Sequence, residues 1–110
     1  MYQYREIGDL GKLPFLGNYG ALAEFEDYSG KAYSEIFKDT DSVKFSDVIA
    51  FVFMCYKIAC FRQKVPVSVT LDEFKANADK TVMELFSILI SDAVGPVESV
   101  EEKKIAEKTK

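Results

Sequence analysis

The protein has 110 residues and a formal net charge of −4, with 14 basic side chains, 18 acidic side chains and no histidine. The length is that of one domain, and a hydrophobic share of 48% argues for a packed core rather than a disordered chain. No basic patch is present for a phosphate backbone, so we expect no nucleic-acid partner. Without histidine, the commonest general acid–base and metal-ligating side chain, we expect neither enzyme activity nor a cofactor or metal.

The N-terminal part of the sequence changes character at Asn18. Residues 1–17 contain three glycines and a proline, which predict an irregular lead with a short extended piece at about Tyr2–Ile7. Asn18 is a predicted N-cap for the helix that follows, through the residues YGALAEFEDY. Gly30 ends that helix, because glycine readily adopts the left-handed conformation of a C-terminal cap.

A second, shorter helix is predicted before a polar loop. Its apolar residues recur at i, i+3 and i+4, the spacing of one helix face; they are Tyr33, Ile36 and Phe37. Residues 39–44, DTDSVK, are rich in turn-forming side chains and predict a loop.

The longest apolar segment spans residues 45–64, FSDVIAFVFMCYKIACFRQK. Ser46 is its predicted N-cap, with Asp47 favourably placed in the first turn. Between Val48 and Phe61 the only charge is Lys57. As a helix these fourteen residues extend about 21 Å, too short for a hydrocarbon core of about 30 Å. We therefore expect a soluble protein without a membrane span.

The segments after this helix alternate between extended and helical patterns. Residues 64–70, KVPVSVT, contain a proline and have no evident pairing partner, so they predict an extended linker. Thr70 and Glu73 form a capping-box pattern before a short helical segment. A last helix covers about 79–93, where apolar residues recur at helical spacing, and Gly95-Pro96 ends it.

These elements predict a mainly α fold: a small single-domain bundle of about four helices around the central apolar helix, with a short extended segment near the N-terminus. The predicted domain covers residues 1–94. Residues 95–110 are rich in charge and poor in apolar surface, which predicts a disordered tail. Cys55 and Cys60 diverge around one helix, so they cannot form a disulfide with each other and indicate a reducing compartment. No secretory signal is recognisable, and we expect a cytoplasmic protein.

The apolar helix has two interpretations. Its apolar residues cover about three quarters of the circumference at about 100° per residue, whereas a helix on the surface of a monomer needs about a third. In one interpretation it is the central helix of the bundle, enclosed by the others. In the second, one flank stays free for another chain, because exposed apolar patches mark interaction sites; the candidate partner-binding residues are Phe51, Met54, Ile58 and Phe61.

The order of segments resembles a known family. The stretch LPFLGNYGALAEFEDYSGKAYSEIF, residues 13–37, is similar to the first half of phage tail assembly chaperones. The features that correspond are a helix with an acidic-aromatic run, the Ser-Gly-Lys segment that ends it, a serine-initiated apolar helix with cysteines and aromatics at its centre, and, after the linker, the TLDEF entry into the last helical section. They lie at Ala21–Glu26, Ser29–Lys31, Ser46–Cys60 and Thr70–Phe74. The resemblance covers about residues 10–92.

The resemblance implies a non-enzymatic phage or prophage protein in the cytoplasm of a bacterial host. Such chaperones bind the tape-measure protein and help to recruit tail-tube subunits. The alternative is a self-associating structural protein, a homo-oligomer that buries its apolar helix without an external client. A small regulatory or toxin–antitoxin-like module is a third class, which would need a basic face or a nuclease site that the sequence does not present.

Overall fold

A computed structural model of the protein describes residues 1–37 and 43–95. It confirms the mainly α class, with five helices and one two-stranded sheet in this part of the chain. In chain order the elements are β1 (Gln3–Glu6), a 3-10 turn (Gly8–Leu10), β2 (Lys12–Phe15), α1 (Tyr19–Ser29), α2 (Tyr33–Ile36), α3 (Phe45–Gln63), α4 (Leu71–Asn77) and α5 (Lys80–Val94). All but the first residue of the tail predicted at 95–110, and most of the loop predicted at 39–44, lie outside the described residues.

The N-terminal lead forms an antiparallel hairpin that the sequence predicted only in part. The extended piece at Tyr2–Ile7 is confirmed as β1, but its partner β2 was missed. β2 alternates between exposed and buried positions, and Leu13 and Phe15 face the core. The 3-10 turn between the strands is followed by Gly11, whose φ of 80° is a conformation that glycine adopts without steric cost.

α1 begins and ends where the sequence indicates. The Asn18 side chain accepts a hydrogen bond from the backbone N–H of Ala21 at 3.0 Å, which satisfies one of the free donors at the helix start. Gly30 is left-handed, with φ 76°, and its N–H donates to the carbonyl of Glu26. Both predicted caps are confirmed.

α3 begins two residues earlier than predicted. Its N-cap is Lys44, and no side chain caps the helix there, so the prediction of Ser46 as N-cap is wrong. The extended backbone of Lys44 and the helical start at Phe45 place Ser46 inside the first turn beside Asp47. The helix ends at Gln63, where Lys64 takes a left-handed conformation with φ 59°.

Predicted signals mark the start of α4 and the end of α5. Thr70 and Glu73 form the reciprocal capping box at the start of α4, with distances of 2.9 and 3.1 Å. The Asp79 side chain accepts from the N–H of Thr81 at the start of α5, and α5 ends before Gly95. Residues 64–70 form no helix or strand, as the linker prediction requires.

α3 lies at the centre of the fold and packs against α1, α5, β2 and α4, which confirms the interpretation of a central helix. Ten of its residues are buried within the chain itself. The hairpin supplies a side of this enclosure that the sequence did not indicate: the N–H of Leu16, just after β2, donates to the carbonyl of Cys55 at 3.1 Å. The second interpretation, in which one flank of α3 stays free for another chain, is therefore wrong for the middle portion of the helix.

Candidate partner-binding surface

Phe51, the first residue of the predicted flank, lies in the core. It is 0% exposed, and its ring is surrounded by three others: the centroids of Phe25, Phe37 and Phe86 lie 5.9, 6.0 and 5.9 Å away, all near-perpendicular. Edge-to-face pairs at these distances are favourable beyond their burial. A partner cannot reach Phe51 without opening this cluster.

The predicted flank is therefore not one continuous surface. Met54 is also buried, at 5% exposure, whereas Ile58 is half-buried and Phe61 is 82% exposed. Phe51 and Phe61 are ten residues apart, which places them about 80° apart around the axis at 100° per residue. α1 and the aromatic cluster cover the first half of the flank, and only its C-terminal half reaches the surface.

Ile58 and Phe61 form an exposed apolar surface together with Val67 from the linker, and we call these three residues the Phe61 surface. They line a shallow cavity of about 250 Å³ with Glu24 and Lys57. Val67 is 47% exposed. The sequence predicted the linker but gave no signal that Val67 would join Phe61. Val65, Val67 and Val69 stand at alternate positions, and this pattern does not show which of the three is buried.

The linker is held beside α3 by backbone hydrogen bonds. The N–H of Val65 donates to the carbonyl of Cys60 at 3.0 Å, and the buried hydroxyl of Tyr56 accepts from the N–H of Ser68 at 3.1 Å. These contacts fold the chain back after the left-handed Lys64. The Phe61 surface is thus formed by the C-terminal end of α3 and a linker that is hydrogen-bonded to the same helix.

Charged side chains border the Phe61 surface. The Lys57 ammonium lies 3.3 Å from a carboxylate oxygen of Glu24 on α1, and both side chains are partly exposed. An ion pair of this kind contributes little to stability, about 0–1 kcal/mol. Arg62 and Lys64 are exposed at the same end of α3, so the border of this surface is more basic than the protein as a whole.

A second apolar surface lies at the opposite end of α3. Phe45 is 72% exposed, and with Ile49 and Met83 it lines a cavity of about 340 Å³ between the starts of α3 and α5. Sequence reasoning missed it, because Phe45 precedes the predicted N-cap and Met83 lies off the apolar stripe of its helix.

The cysteines belong to the core. Cys55 and Cys60 are free and buried, and burial raises the pKa of the Cys55 thiol well above its usual range, with a smaller contribution from the charge of Asp92. The thiol at position 55 is therefore protonated at neutral pH and a poor nucleophile. In the described ranges, no group of three or more His, Cys, Asp or Glu side chains is placed to hold a metal ion.

Two further findings concern the class of protein. Across residues 1–37 and 43–95, no helix combines the length and apolar character that a membrane crossing requires. Comparison with the known protein families, the curated proteins and the solved structures gives no match. The protein is thus defined by its fold and surfaces: a small, acidic, mainly α domain with a buried central helix and an exposed apolar surface at each end of that helix.

Proposed function

We propose that the protein is a non-enzymatic assembly chaperone for phage or prophage tails, which binds the tape-measure protein and helps to recruit tail-tube subunits. The resemblance of residues 10–92 to that family supplies the client. The observation that carries the proposal is the exposure of Phe61 beside Ile58 and Val67. An aromatic side chain left outside an otherwise well-filled core costs solubility, and such patches mark binding sites.

The shape of the Phe61 surface favours a helical client segment. It is a short strip formed by one helix end and a linker, next to the open cavity of about 250 Å³. Amphipathic helices place apolar residues at i, i+3, i+4 and i+7 into grooves of this kind. A tape-measure protein, implied as a long helical client by the resemblance, offers many such segments.

Co-expression with the tape-measure protein of the same gene cluster, followed by co-purification, tests the proposal. We expect the wild-type chain to retain the client and Phe61→Glu to lose at least about tenfold in affinity, because an apolar anchor in an interface contributes at least ~1.4 kcal/mol. Phe45→Glu is the matched control, since it places the same charge on an exposed phenylalanine at the other end of the same helix.

The outcomes separate the site from the function. Equal loss in both variants would show that the Phe61 surface is not the specific docking site. Unchanged capture by both variants would exclude both surfaces as docking sites. No capture by the wild-type chain would remove the proposed client. The gene order gives an independent test: the gene should lie between those of the major tail protein and a very long tape-measure protein.

A further inference from the structure

Two positive charges follow Phe61 at the end of α3. Arg62 is the next residue and Lys64 is the C-cap, and both are exposed. The backbone N–H of Lys64 donates to the carbonyl of Phe61 at 3.2 Å, so the lysine stands beside the phenylalanine. In the described part of the chain, neither Arg62 nor Lys64 forms an ion pair. The negative end of the helix dipole attracts them with only a fraction of a charge, and so both can still pair with a partner.

The acidic side chain that borders the Phe61 surface is already neutralised. Glu24 of α1 lines the cavity beside Phe61, and its carboxylate lies 3.3 Å from the Lys57 ammonium. Because these two charges oppose each other, the pair adds no net charge to the surface. Arg62 and Lys64 therefore make this end of α3 positive, although the protein as a whole carries a net charge of −4.

The apolar part of the Phe61 surface is open to side chains of another protein. α1 passes Ile58 with Gly20, where a Cβ would lie 3.4 Å from the Ile58 Cδ1 atom, so no side chain at that position covers the isoleucine. The cavity of about 250 Å³ is smaller than the range of about 300–1,000 Å³ that is typical of small-molecule sites. It suits a few apolar side chains that project from a partner helix.

We propose, on the basis of the function proposed above, that the client segment on the Phe61 surface is an amphipathic helix with Asp or Glu side chains beside its apolar residues. The apolar residues fill the cavity, and the carboxylates face Arg62 and Lys64. Charge complementarity of this kind fixes the orientation of a docked segment and raises its association rate. It also discriminates against segments whose apolar residues are flanked by lysine or arginine.

An anionic membrane surface is the other partner that combines negative charge with apolar groups. Binding to lipid would bring the whole protein, with its net charge of −4, to a surface of the same sign, and this repulsion opposes the approach. A docked helix instead meets mainly the charges within a Debye length, which is about 10 Å at 0.1 M salt. The local positive charge therefore favours a protein segment.

Two synthetic peptides test the charge preference. Each is a helix of about 18 residues with leucine at i, i+3, i+4 and i+7, and the positions beside the leucines are glutamate in one peptide and lysine in the other. By fluorescence anisotropy at low salt, we expect the wild-type chain to bind the glutamate peptide about tenfold more tightly than the lysine peptide. The difference should shrink as salt screens the charges.

Three variants locate the preference on the protein. Arg62→Glu/Lys64→Glu should reverse it, and Phe61→Ala should weaken the binding of both peptides. The matched control is Lys31→Glu/Lys44→Glu, which makes the same change of charge at two exposed lysines beside the start of α3. This control should keep the order of affinities of the wild type.

Equal affinity of the wild type for the two peptides, or binding of neither, would overturn the proposal even if a variant fails to fold. A preference that Arg62→Glu/Lys64→Glu leaves unchanged, or binding that Phe61→Ala does not weaken, would overturn it as well. Tighter binding to phosphatidylserine vesicles than to the glutamate peptide would assign the surface to a membrane instead. Capture of the tape-measure protein without a charge preference would leave the proposed function standing, whereas a charge preference without capture would exclude that client alone.

Discussion

The side-chain oxygen of Asn77, at the end of α4, accepts a hydrogen bond from the backbone N–H of Asp9 in the 3-10 turn at 2.8 Å. The same amide donates to the carbonyl of Glu73 at 3.0 Å, so one side chain joins the hairpin turn to a helix far along the sequence. Gly8 makes room for it: a Cβ at this position would lie 2.5 Å from the Asn77 oxygen. The hairpin is thereby held against the helical part of the fold.

Replacement of Asn77 by alanine should destabilise the protein by about 1–2 kcal/mol, because it removes both hydrogen bonds and leaves the N–H of Asp9 with water as its partner. Urea unfolding followed by circular dichroism measures the change. Lys75→Ala, an exposed position on the same helix, is the control and should change stability by less than about 0.5 kcal/mol. Equal effects in the two variants would show that the Asn77 contacts contribute nothing specific.

The ends of several helices could be predicted from the sequence because their signals are local. Asn18, Gly30 and the pair Thr70–Glu73 each act on backbone groups within four residues, and so one short stretch of sequence contains the whole cause. The start of α3 had no such signal. Lys44, the actual N-cap, provides no side-chain cap. Ser46 has a side chain typical of N-caps and therefore gave a misleading signal.

The strand β2 and the burial of Phe51 could not be predicted from local patterns. β2 exists because Phe15 pairs with Gln3 and packs on α3, and its proline argues against a strand when read alone. Phe51 is buried because α1, the Phe37 region and α5 each supply a ring. A helical wheel gives the direction of a side chain but does not reveal which direction another element covers.

Truncation of Phe51 should destabilise the protein strongly and truncation of Phe61 hardly at all, although both are phenylalanines on α3. Phe51→Ala removes the centre of the aromatic cluster and should cost about 3–5 kcal/mol of stability. Phe61→Ala removes an exposed ring and should change stability by no more than about 0.5 kcal/mol. Chemical denaturation of both variants compares them directly. A comparable loss for Phe61→Ala would mean that its ring packs in the monomer and is not free for a partner.

Gly17 should not tolerate even a methyl group. The chain passes so close to α5 here that a Cβ would lie 2.3 Å from the backbone carbonyl oxygen of Leu89, and a backbone atom of a packed helix cannot move aside easily. Gly17→Ala should therefore cost about 3 kcal/mol or more, at the upper end of overpacking effects. Gly20→Ala is the control, because its nearest neighbour, the Asn18 side chain, would lie at 3.1 Å. Thermal unfolding with an unchanged midpoint for Gly17→Ala would contradict this close approach.

The buried thiol of Cys55 should make stability fall at alkaline pH. Burial raises the pKa of this thiol in the folded protein above its ordinary value of 9.0, so above that pH the unfolded chain releases a proton that the folded chain retains. The free energy of unfolding falls as pH rises wherever the unfolded chain binds fewer protons than the folded chain. Relative to Cys55→Ala, the free energy of unfolding of the wild type should decrease by about 1.4 kcal/mol per pH unit once the unfolded thiol ionises. Urea unfolding of both proteins from pH 7 upward measures the difference. Parallel pH profiles would show that the thiol is equally free to ionise in the folded state and that solvent reaches the middle of α3.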